Sequence, residues 1–301
     1  MTKKAKKRKE LFLRIFASVL LIFGYTCCVL PVGIDTYSRI GQTATISGYD
    51  DSISMMSDEE LAEAWQKSNE YNQKIYEQQQ EEPYVYTTNV VYDEDYLKLP
   101  VETNREIGTI VIKKINVNVS TGHGTDDELL QKEAGHLYGT SLPTGGINTH
   151  SVIAAHSALQ SSELFTRLDE LEKGDYIDIK VLNQTHRYVI DQIITCLPDE
   201  CNQYLQIEEG KDLITLYTCT PYGINTHRLL VRGSRIEDPV EDKNTEGLST
   251  IMSVFTDNTK EILKLAGLII FPIVLVVLLN IFGFKKSKKL KSKKSSKDNV
   301  V

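Results

Sequence analysis

A thiol at the tip of an apolar run is the first candidate for chemistry in this chain. Leu213-Ile-Thr-Leu-Tyr-Thr-Cys219 reads as a strand ending in Cys219. The loop Thr220 to His227 follows, with Pro221, Gly223 and Asn225 as turn formers, and Arg228 opens the next apolar run. If these two runs pair as neighbours, the turn brings Arg228 back to the end that carries Cys219. A guanidinium there stabilises negative charge, on sulfur or on the oxyanion of a tetrahedral intermediate. The same two residues also suit a buried cysteine beside a structural arginine, and on their own they do not separate the two roles.

A nucleophilic cysteine needs a proton partner, usually histidine. Of the six histidines, His156 is best placed, directly ending the apolar run Ser151-Val-Ile-Ala-Ala155. His150 begins the same run and His227 neighbours Arg228, so pattern alone excludes neither. His186 falls in a polar turn and is expected to be solvated. His150, His156, Cys196 and Cys201 form a conceivable zinc set, but no metal is expected, because no cysteine knuckle and no H-E-x-x-H is present. The chain also has no Walker loop, no G-x-G-x-x-G and no G-x-S-x-G, so no cofactor is expected. Cys196 and Cys201 are close enough in sequence to bridge, which geometry decides.

The elements that must position these residues are mostly strands. Gly108 to Lys113, Ile115 to Val119, Tyr176 to Val181 and Arg187 to Ile194 alternate, while 151–155, 213–218 and 229–232 are short buried-type runs. About seven strands over roughly 130 residues predict a closed or nearly closed β-barrel, with short helical patterns at 126–132 and 163–171. Upstream, Ser57 to Glu82 predicts a helix: Ser57 caps it, Glu60 stands three residues on, and Leu61, Ala64, Trp65 and Tyr71 recur at helical spacing. Pro83 stops it. Having no core pattern of its own, 35–105 reads as an appendage and linker.

Two apolar segments, 11–34 and 263–284, are each long enough to cross a bilayer as a helix. The first is too long for a signal-peptide core and is expected to stay as an anchor. Both flanks are basic, which predicts a two-pass protein of the cell membrane with both termini (1–10 and 285–301) cytoplasmic and the middle outside. Those basic ends and Arg14 carry +13, so against the chain's −7 the remainder carries −20. So acidic an outer region argues against nucleic acid as a partner.

Thr215-Leu216-Tyr217-Thr218-Cys219 matches the TLxTC signature of sortases. The run from Thr218 to Gly233, with Gly135 to Pro143, Asn148 to Ser151 and Glu163 to Leu168, resembles the class C, pilin-polymerising branch. The resemblance covers about 105–236. It implies a mainly β fold, an eight-stranded barrel over 106–237 followed by a linker or helix at 238–262. It implies Cys219 as nucleophile, His156 as acid/base and Arg228 as oxyanion stabiliser, with Thr218 of the signature in substrate binding. The reaction implied is cleavage of an LPxTG-like sorting signal between Thr and Gly through a thioacyl-enzyme, then transfer to an amine. The partners are pilins or other surface proteins carrying that signal. The alternatives are a housekeeping sortase that anchors proteins to the wall, and a non-catalytic barrel that scaffolds surface proteins. Two departures stand out. Ser157-Ala158-Leu159 replaces the usual Arg-Gly-Leu after the histidine. The lid motif, elsewhere Asp-Pro-aromatic, has Glu82-Pro83-Tyr84 as its nearest match, where Pro83 also serves simply to end the helix.

Overall fold

Seven of the eight strands overlap the runs expected from the sequence, four of them alternating and three of buried type. They are β1 (Glu106–Ile112), β2 (Val117–His123), β4 (Thr149–Ala154), β5 (Tyr176–Val181), β6 (Gln184–Cys196), β7 (Asp212–Thr220) and β8 (His227–Arg235). The eighth, β3 (Ala134–His136), is three residues long and too short to show a period. The computed structural model describes residues 3–87, 91–101, 105–157, 159, 163–236, 263, 266–268, 270–272 and 274.

The strands close in the order β1-β2-β3-β4-β7-β8-β6-β5. Neighbours are antiparallel except β2 with β3 and β4 with β7, and β5 closes back on β1. Inward positions at period two, such as Ile110, Ile153, Ile179, Ile190, Ile214, Leu216, Leu229 and Val231, fill the barrel with apolar side chains. A second apolar cluster lies on the outer face, built from Val152 and Ala154 of β4, Tyr217 of β7 and Leu230 of β8.

Two long helices and a short one, α3 (Glu94–Leu97), precede the barrel among the described residues. In α2 (Asp58–Glu81) the expected capping box is present: Glu60 N donates to Ser57 Oγ at 3.2 Å, and Ser57 N to Glu60 Oε2 at 2.8 Å. Its buried stripe is Ala64, Ser68, Asn72 and Ile75. Asn72 accepts from Leu142 N at 2.7 Å and donates to Thr144 Oγ1 at 3.0 Å. Half of this buried stripe is polar, which weakens its hydrophobic pattern although α2 packs on the barrel.

The first helix, α1 (Lys3–Ser54), contains a stretch from Leu11 that is long and apolar enough to cross a membrane. It continues well past that run, through Gly41 and Gly48, which intrinsic propensity disfavours. Burial of Tyr49 and Ile53 in the barrel core outweighs propensity there. The Tyr49 hydroxyl donates to Ile107 O at 2.8 Å and accepts from Leu182 N at 2.9 Å, and Lys180 pairs with Asp50 at 2.7 Å. Residues 37–250 form one compact unit; 1–36 and 251–301 form another. The linker at 238–262 and most of the second apolar segment, 263–284, lie outside the described residues, and those of the segment that are described are helical.

Candidate functional site

Strand register carries Cys219 and Arg228 to one place. They are direct partners across the antiparallel pair β7–β8, so their side chains leave the same face of the sheet. The parallel pair β4–β7 ends with Ala154 opposite Tyr217, and two more residues at that register bring His156 level with Cys219. Cys196 of β6 is Arg228's partner on its other side. One row across the outer face therefore reads His156, Cys219, Arg228, Cys196. Of the other candidate histidines, His227 pairs with Thr220, one row beyond and on the opposite face.

The β4–β7 alignment does not end with the ladder. Ala155 N donates to Tyr217 O at 3.1 Å, the Thr218 hydroxyl donates to Ala155 O at 2.7 Å, and the Ser157 hydroxyl donates to Cys219 O. Phe165 N closes the loop onto His156 O at 3.2 Å. Thr218 is itself buried, with its hydroxyl turned to the chain beside His156. Ser157, noted in the sequence only as a departure from family pattern, is thus a second tie between the histidine segment and the cysteine strand. Cys219 and His156 are both half-buried.

Arg228 is held by its own turn. Its Nη1 donates to Asn225 O and His227 O, both at 3.1 Å. Burial raises the Tyr217 pKa, Arg228 acting against it, so the hydroxyl is protonated at neutral pH.

His150 has a different environment. It is 1% exposed, its Nδ1 meets Gln206 O and its Nε2 meets Thr215 Oγ1, each at 2.7 Å. Burial pushes its pKa down to about 4. It is a neutral spacer between β4, β7 and the segment before β7. His186, expected in solvent, is instead buried, its ring set edge-on to Trp65 of α2 at 5.8 Å between centroids; the packing of α2 on the barrel removes it from water.

After α2 the chain crosses the outer face as an extended strap, 83–87. Gln206 clasps Tyr84 at both backbone groups: Oε1 accepts from Tyr84 N and Nε2 donates to Tyr84 O, each at 2.8 Å. Asn202 Oδ1 accepts from Tyr86 N at 3.0 Å. Tyr84 packs over Gly139, whose φ of 84° and missing side chain leave room for the ring, and its hydroxyl donates to Tyr138 O at 3.1 Å. Tyr86 lies against Tyr217, 6.1 Å between centroids. Both tyrosines join the outer apolar cluster, whereas Glu82 and Pro83 are exposed at the end of α2. Cys196 and Cys201 form a disulfide that closes the start of the 3₁₀ turn Pro198–Tyr204, which carries Asn202. Their sulfurs are therefore not available as thiolate ligands for the conceivable zinc set.

The family model of the sortase domain matches residues 110–236. Among solved structures the chain is similar to sortase C of Streptococcus pneumoniae, whose structure bears on catalysis and pilin substrate specificity: 37% identity, 66% of this chain and 100% of that one, TM-score 0.59. It is also similar to Clostridium perfringens sortase C with the C-terminal cell wall sorting motif: 38% identity, 65% of this chain and 99% of that one, TM-score 0.56. A curated relative, sortase D of Bacillus subtilis (strain 168), is 27% identical over 139 residues, which span 45% of this chain and 66% of the relative.

Proposed function

The chain belongs to the sortase family of cysteine transpeptidases, with class C, pilin-polymerising members among its structural neighbours, and from that premise we propose that Cys219, His156 and Arg228 carry the reaction. The observation that carries this is the single row in which register aligns the three on one open face. The sulfur of Cys219 attacks the Thr carbonyl of an LPxTG-like signal. Arg228 donates to the oxyanion, and His156 gives a proton to the departing Gly amine as the C–N bond breaks. In the second half an incoming amine attacks the thioester and loses its proton to His156, and the thiolate leaves. We assign that amine to a lysine of the next pilin. Thr218 acts from beneath, holding the chain at His156.

The strap is the natural lid of this site. Tyr84 and Tyr86 supply its apolar cover, and the motif Glu82-Pro83-Tyr84 forms its leading edge. Both basic ends are assigned to the cytoplasmic side and the barrel to the outside, where enzyme and membrane-tethered substrate share a surface and gain effective concentration.

The test uses the full chain in detergent, an LPxTG peptide and intact mass. A thioacyl adduct that is absent in Cys219→Ala and moves to an added lysine peptide is the expected result. A wild-type chain that forms no adduct, even with Tyr84→Ala to loosen the strap, would overturn the assignment.

A further inference from the structure

Three main-chain bonds dock the strap, and all of them go to one short piece of chain. Tyr86 N donates to Asn202, and both backbone groups of Tyr84 bond Gln206. Gln206 is aimed in turn by Asn202, whose main-chain oxygen accepts from its Nε2 at 2.6 Å. Asn202 therefore governs the whole clasp, and it sits in the 3₁₀ turn Pro198–Tyr204. A turn of this kind is weak by itself. Among the described residues its main-chain bonds are local: Glu200 N donates to Leu197 O at 2.9 Å, and Leu205 N to Asn202 O at 3.1 Å. Bonds to the rest of the fold begin only after it, where Gln206 O meets His150 Nδ1 at 2.7 Å and Ile207 N donates to Gln79 Oε1 at 3.1 Å. Besides the burial of Leu205, what fixes the turn to β6 is the Cys196–Cys201 disulfide, one residue before Asn202.

The sulfurs are covered in part by what they hold. Cys196 and Cys201 are 5% and 1% exposed and belong to the outer apolar cluster, against which Tyr84 and Tyr86 pack together with Ile194 and Tyr204. Strap and disulfide are thus coupled in both directions. We propose that the Cys196–Cys201 disulfide is a redox latch on the strap. A dithiol reductant gives it two electrons and two protons, the S–S bond breaks to two cysteine thiols, and the dithiol leaves as its own disulfide. The turn then loses its covalent tie, Asn202 moves away from Tyr86, and the strap leaves the outer face. Cys219 takes no part in the exchange, since Arg228 stands between it and Cys196 in the row. That the departing strap bares Cys219 rests on the reading of the strap as a lid; its departure does not.

The test uses the full chain in detergent, oxidised and after reduction with dithiothreitol, which is removed before each reading. Peptide mass confirms that the bond has opened. Hydrogen exchange over 83–87 follows the strap directly, because the amides of Tyr84 and Tyr86 are bonded only while it is docked. Reduction is expected to speed that exchange about fivefold, as for loss of one hydrogen bond, with β4 unchanged. Joint replacement, Cys196→Ser with Cys201→Ser, should reproduce the reduced rate with no reductant present. In an Asn202→Ala background reduction should change strap exchange by less than about twofold, because the group that the latch holds is gone. The coupling also runs in reverse: Gln206→Ala, which loosens the strap, should speed reduction of the disulfide about tenfold.

Strap exchange that is the same in the oxidised and reduced chain would overturn the proposal. So would an undiminished response in the Asn202→Ala background, which marks a loosening that does not pass through the clasp. Exchange in β4 that quickens as much as the strap would mean that the bond supports the whole barrel, and would overturn it too. A reduction rate that Gln206→Ala leaves unchanged would mean that the strap does not cover the bond, and would sink the two-way coupling. Alkylation of Cys219, mapped by peptide mass, tests the lid separately. It should quicken together with strap exchange on reduction. Exchange that quickens while alkylation stays flat would leave the latch standing and remove the lid.

Discussion

The strand β4 begins and ends beside a histidine, and the two have opposite fates. His150, at its start, is sealed: both ring nitrogens are bonded, water is excluded, and its pKa falls to about 4. His156, just past its end, is half-buried on the face that carries Cys219 and Arg228. By local pattern His156 was the better placed of the two, but pattern alone did not exclude His150. What separates them is whether the ring's bonding capacity is used up by the fold. A histidine committed at both nitrogens welds elements together, and one left on an open row can exchange a proton.

The sharpest way to break that contrast is to swap the losses. His156→Gln should lower thioester formation by about a thousandfold, within the range of general acid–base effects, with the melting temperature unchanged to within a few degrees. His150→Gln should lower stability by about 2 kcal/mol and leave each folded molecule active. The reverse outcome would exchange the two roles.

The pH dependence sharpens the same contrast. The folded-state pKa of His150 is depressed from near 6.5 to about 4, so the unfolded chain takes up its proton first as pH falls. Stability from this group is therefore complete above about pH 6.5 and is lost progressively toward pH 4. The stability advantage of wild type over His150→Gln, from denaturant melts, should fall by about 3 kcal/mol across that window, so that near pH 4 the variant is the more stable by about 1 kcal/mol. A difference that stays flat would mean His150 is not held neutral by the fold.

His150 also supports the strap at one remove, since it bonds the main chain of Gln206, whose side chain clasps Tyr84. Gln206→Ala removes two of the strap's bonds at a cost of about 1.5 kcal/mol, so alkylation of Cys219, followed by peptide mapping, should quicken about tenfold. An unchanged rate would mean that the strap does not limit access. The smallest effect is expected on the His156 side. Ser157→Ala removes one tie to Cys219 O, worth about 1 kcal/mol, and should slow thioester formation about fivefold with little change in melting temperature.

Much of this was legible from residues in order. Period-two alternation marked four strands and short buried-type apolar runs marked three more, and Tyr176–Val181 was placed to the residue. The capping box of α2 and the apolar start of α1 are local in sequence, and local physics decides them. Cys219 and Arg228 were paired in advance because a short turn joins their strands, so chain connectivity alone brings them together.

The rest depended on contacts distant in sequence. β3 has three residues and exists because two neighbours bond to it. Helix Tyr37 to Ser54 forms against its glycines because Tyr49 and Ile53 find the barrel. The strap's tyrosines look like linker residues until Gln206 and Asn202 reach them from 116 residues or more away. Whether Cys196 meets Cys201 was a question of backbone geometry that the turn Pro198–Tyr204 answers. The sequence by itself determined the kinds of element and the chemical groups at their tips, since propensity, period and turn chemistry act within a few residues. Only the closed barrel decided that His156, and not His150, lies level with the thiol, because register between strands 63 residues apart is set by how the whole sheet closes and buries its inner face.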